Sequence, residues 1–129
     1  MEREVLAQKV KGLLPSEKVE EFFEAFYFGE EPAYHLELGL RDWDLEKGVL
    51  TLELRLIARP GKCLACNLTS GLPDVFRRHP ILNLAGVAEN AVRLLGDGYA
   101  LQAWELGWTE QVNADLHVVP FIIRVKKKE

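Results

Sequence analysis

The chain has 129 residues and a net charge of −4, with 48% hydrophobic and 28% charged side chains; that balance suits one globular domain and excludes a disordered or fibrous chain. No apolar run approaches the length of a membrane-spanning helix, about 20 residues, and the acidic balance argues against a nucleic-acid partner gripped by its phosphates. Cys63 and Cys66, the two cysteines of the chain, are too close in sequence to close a long loop, and the charged start Met1-Glu2-Arg3-Glu4 lacks the apolar stretch of a signal peptide, so the expected setting is reducing and cytoplasmic.

Leu6, Val10, Leu13 and Leu14 recur at helical spacing, and Pro15 ends that pattern. Ser16 is placed to cap a second helix whose buried face carries Val19, Phe22, Phe23 and Phe26, with Gly29 as its stop. Next, Tyr34, Leu36, Leu38 and Leu40 alternate with His35, Glu37, Gly39 and Arg41, and Leu50, Leu52, Leu54 and Leu56 alternate with Thr51, Glu53 and Arg55. Period two on both arms predicts an antiparallel hairpin with one wet and one dry face, closed by a left-handed Gly48. Glu37 and Glu53 fall on the wet face beside Arg41 and Arg55, so cross-strand ion pairing accounts for them without catalysis.

Arg59-Pro60-Gly61 breaks the second strand, and the stretch to Pro80 is irregular apart from a short helical turn at Asp74–Arg78. Pro80 suits the first position of a central helix carrying Leu84, Val87, Ala88, Ala91, Leu94 and Leu95 on one face; within it Gly86 either weakens the helix or admits a close neighbour. Two strands follow, Tyr99–Thr109 and Leu116–Val125, with Glu110–Asp115 as the turn and Trp104 and Trp108 in one register of the first. The last strand is apolar on both faces, so the second face needs a cover, either the N-terminal helices or a second subunit. Pro120 places itself at an edge or a bulge. The expected fold is a single α+β domain over 1–129: a four-stranded antiparallel sheet of two hairpins, two N-terminal helices and one central helix, in the order ααββ-loop-αββ.

Chemistry concentrates in the irregular stretch. Cys63-Leu64-Ala65-Cys66 is a C-x-x-C element able to grip a metal such as zinc or to cycle as a thiol pair, and His79 follows at a distance that fits a third ligand. Arg59, Lys62, Thr69, Ser70, Arg77 and Arg78 form a candidate anion cradle, because hydroxyls, backbone N–H groups and forked guanidinium donors converge on negative charge. No nucleophile elbow, phosphate loop or dinucleotide fingerprint is present, and no catalytic residue is assigned.

The succession of hairpin, cysteine-bearing loop, Ala/Leu-rich helix and closing hairpin over roughly residues 50–125 resembles the layout of 4-vinyl reductase-like domains. That resemblance implies small-molecule binding; the further cysteines that those domains carry in the closing strands have no counterpart here. The expectation is therefore a non-enzymatic module that binds a small molecule or anion, or that assembles as a homodimer. The alternative is a thiol redox or metal-binding protein using Cys63 and Cys66.

Overall fold

The computed structural model describes residues 2–27, 34–61 and 72–128. In chain order these form α1 (Arg3–Lys11), α2 (Ser16–Tyr27), β1 (Tyr34–Asp44), β2 (Val49–Ala58), α3 (Leu72–Arg78), α4 (Leu84–Leu94), β3 (Tyr99–Leu106), β4 (Glu110–Asn113) and β5 (Leu116–Lys127). The fold is α+β with an antiparallel sheet in the order β1-β2-β5-β3, and β4 lies beside the start of β5. Since β2 occupies the other side of β5 along residues 116–124, β3 and β4 share one edge and act as a single interrupted strand.

The sequence reading and the structure differ in several places: α1 ends at Lys11 rather than running to Pro15, α3 starts at Leu72 rather than at Asp74, and three further differences concern the second half of the chain. Residues 110–113, read as a turn, are strand, and the reversal is confined to Ala114 and Asp115. The central helix starts at Leu84 rather than at Pro80: Asn83, in the left-handed conformation at φ 45°, caps it by accepting from the Gly86 N–H at 3.3 Å. A Cβ at position 86 would stand 2.5 Å from the Asn83 side chain, so the close neighbour that this glycine admits is the cap itself. Third, Trp108 lies beyond the end of β3.

Registry explains the core. Leu50, Leu52, Leu54 and Leu56 pair with Ile123, Phe121, Val119 and His117, and Leu36, Leu38 and Leu40 flank them from β1. All four β2 leucines are fully buried, together with Leu6, Val10 and Phe22 from the N-terminal helices and Ala88 and Ala91 from α4. Burying one leucine stabilises by about 2 kcal/mol, so this row and the helices lying on it dominate stability.

The opposite face carries Thr51, Glu53, Arg55 and Ile57 from β2 and Val118, Pro120 and Ile122 from β5; Val118 is buried yet lies outside the core cluster. Here Arg41, at a bulge in β1, pairs with Glu110 of β4 at 3.0 Å. The two stand on opposite edges of the sheet, so the contact requires the sheet to curl towards this face. Arg55 reaches Glu37 at 3.6 Å, the cross-strand pairing expected from the sequence, and Glu53 on its own strand at 3.4 Å, while Arg41 takes a partner that the hairpin pattern does not name. Gly39 makes room: a Cβ there would fall 2.4 Å from the Arg55 guanidinium carbon.

Gly48 closes the first hairpin at φ 69°, and a Cβ on it would lie 2.5 Å from the Val125 carbonyl oxygen. Gly61 has the similar φ of 77°, and among the described residues nothing lies within 4 Å of where its Cβ would be. Both replacements by alanine incur left-handed strain, about 1–2 kcal/mol, and only Gly48→Ala adds a backbone clash. Gly48→Ala is therefore expected to lower the urea midpoint clearly more than Gly61→Ala, at unchanged m value, in equilibrium denaturation.

Candidate functional site

Pro120 shapes the one surface, among the described residues, where an indole is left in solvent. In an antiparallel ladder a residue's N–H and C=O point to the same side. The Pro120 carbonyl accepts from the Gly107 N–H at 2.9 Å, so its missing N–H faces the same edge. The ladder cannot continue past that point; β3 ends at Leu106 and β4 resumes at Glu110. Gly107 lets the proline ring approach, with ring carbons 3.3–3.5 Å from where a Cβ would be. Trp108, thrown out of register, is 86% exposed, whereas Trp104, still in the ladder, packs on Phe121 at 5.6 Å between ring centroids.

Facing this break is α3, anchored by buried Leu72 and Phe76, so that Pro73, Asp74 and Arg77 fall on its outer side. Pro73, Asp74, Arg77, Leu106, Gly107 and Trp108 line a cleft of about 410 Å³, a volume within the range of small-ligand sites, roughly 300–1,000 Å³. Asp74 ion-pairs with Arg77 and, at 3.6 Å, with Arg78; all three side chains are more than half exposed. Exposed pairs of this kind contribute at most about 1 kcal/mol, so an incoming anion can displace Asp74 from Arg77 at small cost.

The other candidates are dispersed. Arg59 donates from Nε to the Tyr34 carbonyl at 3.1 Å and lies 5.7 Å over the Phe23 ring. His79 stands edge-on to Phe22 at 4.8 Å, and its Nδ1 accepts the Ile81 N–H at 3.3 Å. Phe22, Phe23, Tyr34 and Phe76 are buried in this aromatic cluster, as helical spacing implied for Phe22 and Phe23, while Phe26 and Tyr27 pack half-buried at its margin. Tyr27 and Tyr34 share a hydroxyl hydrogen bond of 2.9 Å, and burial raises the pKa of both. Lys62, Cys63, Cys66, Thr69 and Ser70 lie outside the described residues, so the structure brings together only Arg77 and Arg78 of the proposed cradle, both on Asp74.

Histidine geometry bears on metal binding. His35 pairs with Ile57 and projects to the open face, whereas His117 pairs with Leu56 and points into the core, so these two cannot share an ion. Among the described residues, no group of three or more His, Cys, Asp or Glu side chains is placed to hold a metal. No described helix is long and apolar enough to cross a membrane.

No family model, curated protein or solved structure matches the chain. The layout resemblance to 4-vinyl reductase-like domains therefore has no family match behind it, and the functional reading rests on the residues themselves. Sequence spacing puts Trp104 and Trp108 on one strand and does not bring Trp108 and Arg77 to one cleft; the available signal is Pro120, whose effect falls on Gly107 and Trp108 only once the register of β3 on β5 is known.

Burial lowers the His117 pKa below its usual 6.5. The folded state thus favours neutral imidazole, and its contribution to stability is present above about pH 6.5 and lost as pH falls through the lowered value. Thermal unfolding between pH 7.5 and 5.5 should show a falling midpoint, with a slope of up to about 1.4 kcal/mol per pH unit from this group. His117→Leu should remove that part of the slope.

Proposed function

We propose that the protein is a non-enzymatic binding module and that the cleft between α3 and the end of β3 takes a small planar molecule bearing an anionic group. The observation that carries this reading is the Trp108 indole, 86% exposed and lining a concave site with Arg77. An indole in water forfeits its burial energy, and a stacked aromatic ligand restores it with a geometric preference worth about 0.5–1.5 kcal/mol beyond area alone. The guanidinium beside it supplies a planar fork matched to a carboxylate or phosphate. Leu106 and Pro73 add apolar wall, so stacking, apolar contact and one forked charge are the terms of recognition.

Titration with 1-naphthoate, followed by tryptophan fluorescence, tests the reading. Saturable quenching is expected, weakened about tenfold, or 1.4 kcal/mol, in Trp108→Ala, and weakened also in Arg77→Ala; uncharged 1-naphthalenemethanol should bind less tightly than the carboxylate. An unsaturable response, or one unchanged in Trp108→Ala, would overturn it.

The thiols separate this proposal from the redox or metal alternative. With a binding role confined to the cleft, Cys63→Ser combined with Cys66→Ser should leave folding, by circular dichroism, and naphthoate affinity intact. Near-stoichiometric zinc or iron in freshly purified protein would favour the alternative instead.

A further inference from the structure

The charges of α3 are out of balance. Asp74 offers a single oxygen, Oδ1, to both Arg77 Nη2 and Arg78 Nε, and the second contact, at 3.6 Å, is too long for a hydrogen bond. Among the described residues neither guanidinium pairs with another carboxylate, so two cations share one anion. The open face of the sheet shows the reverse ratio. There a groove of about 850 Å³ sets Glu37, Glu53 and Asp115 around the guanidinium of Arg55, over aliphatic Ile57, Leu116 and Val118. An anion is therefore drawn to α3 and repelled from the groove.

The two arginines of α3 are not equivalent. Arg77 lines the cleft with Trp108, whereas Arg78 stands outside it with its side chain 74% exposed. Residues three and four positions apart are neighbours on a helix surface, which is why both guanidiniums reach the one carboxylate. Asp74 holds the fork of Arg77 that an anionic ligand needs. When a ligand carboxylate takes that fork, Asp74 does not go unpaired into water: a small rotation of its side chain closes the gap to Arg78. One hydrogen-bonded ion pair then becomes two, Arg77 with the ligand and Asp74 with Arg78. A neutral aromatic leaves the Asp74–Arg77 pair in place and gains stacking alone.

We infer that Asp74 is a built-in competitor for the anion seat and that Arg78, without touching the ligand, sets the strength of that competition by drawing the displaced carboxylate away, an inference that rests on the binding role given to the Trp108 cleft. The Asp74–Arg78 pair thereby tunes how strongly the cleft prefers an anion to a neutral molecule of the same shape.

Fluorescence titration of the full chain with 1-naphthoate and 1-naphthalenemethanol tests it, at about 150 mM salt, where charges that do not touch are largely screened. Exposed ion pairs shift an equilibrium by roughly two- to fivefold, which sets the scale of the changes. Asp74→Asn should tighten naphthoate about threefold, because the fork is no longer contested. Arg78→Ala should weaken it about threefold, because the competitor has no other partner, while Arg78→Lys, which keeps the cation, should bind as the wild type does. In the double variant Asp74→Asn with Arg78→Ala, the Arg78→Ala effect should be lost, since no carboxylate remains for Arg78 to draw off. Affinity for the alcohol should be the same in Arg78→Ala as in the wild type. Naphthoate binding that ignores Asp74→Asn, or an Arg78→Ala effect of equal size with and without Asp74, overturns the inference and leaves the cleft as a binding site. Failure of both ligands to saturate the wild type, or binding unchanged in Trp108→Ala, overturns the cleft reading and this inference with it.

Discussion

Pro120 sits on an inner strand, where a residue without an N–H can leave the ladder unfinished on one side. The consequences run outward from that missing donor. The edge strand splits into β3 and β4, Gly107 closes over the proline ring, and Trp108 leaves the sheet for solvent opposite α3. One absent hydrogen thus determines where the sheet stops being regular and where a concave site can form. The break also protects the fold: an edge strand interrupted at residues 107–109 and bulged on either side offers a poor template for a further strand.

The sheet divides its two faces by chemistry. The core face is a row of leucines and aromatics under helices, indifferent to charge. The open face is a layer of ion pairs above a narrow apolar strip, where Arg41 spans the sheet to Glu110 and Arg55 lies flat over Gly39. Pairs as exposed as these add little to stability; their arrangement sets where charge is left over, and hence which surfaces another molecule can recognise. The cleft and the groove are separate surfaces, one lined by an exposed indole and Arg77, the other by carboxylates around aliphatic side chains.

Much of the fold is legible in the chain. Tyr34 to Leu56 alternate so regularly that hairpin, dry face and left-handed Gly48 follow from spacing alone, and the stripes of α1, α2 and α4 carry their buried faces openly. The errors fall where local pattern competes with pairing. Residues 110–113 look like a turn because they are polar, yet they are held as strand by β5. Pro80 looks like a helix start, but the cap that Asn83 makes on Gly86 sets the boundary four residues later. Of the site, Arg77 and Arg78 were visible as cations, while their engagement with Asp74 and the opening beside Trp108 were not. The cysteines remain a motif read from sequence.

Local sequence determined the helices, the first hairpin and the last strand, with the face each buries and the charges each carries, because those depend on periodicities within a few residues. Tertiary structure alone decided that Pro120 stands opposite Gly107, that Arg41 meets Glu110 across the sheet, and that Lys126 and Glu37 share a face at opposite ends of it. These relations join residues far apart in the chain, and their registry is set by how the strands align and not by any pattern within one of them.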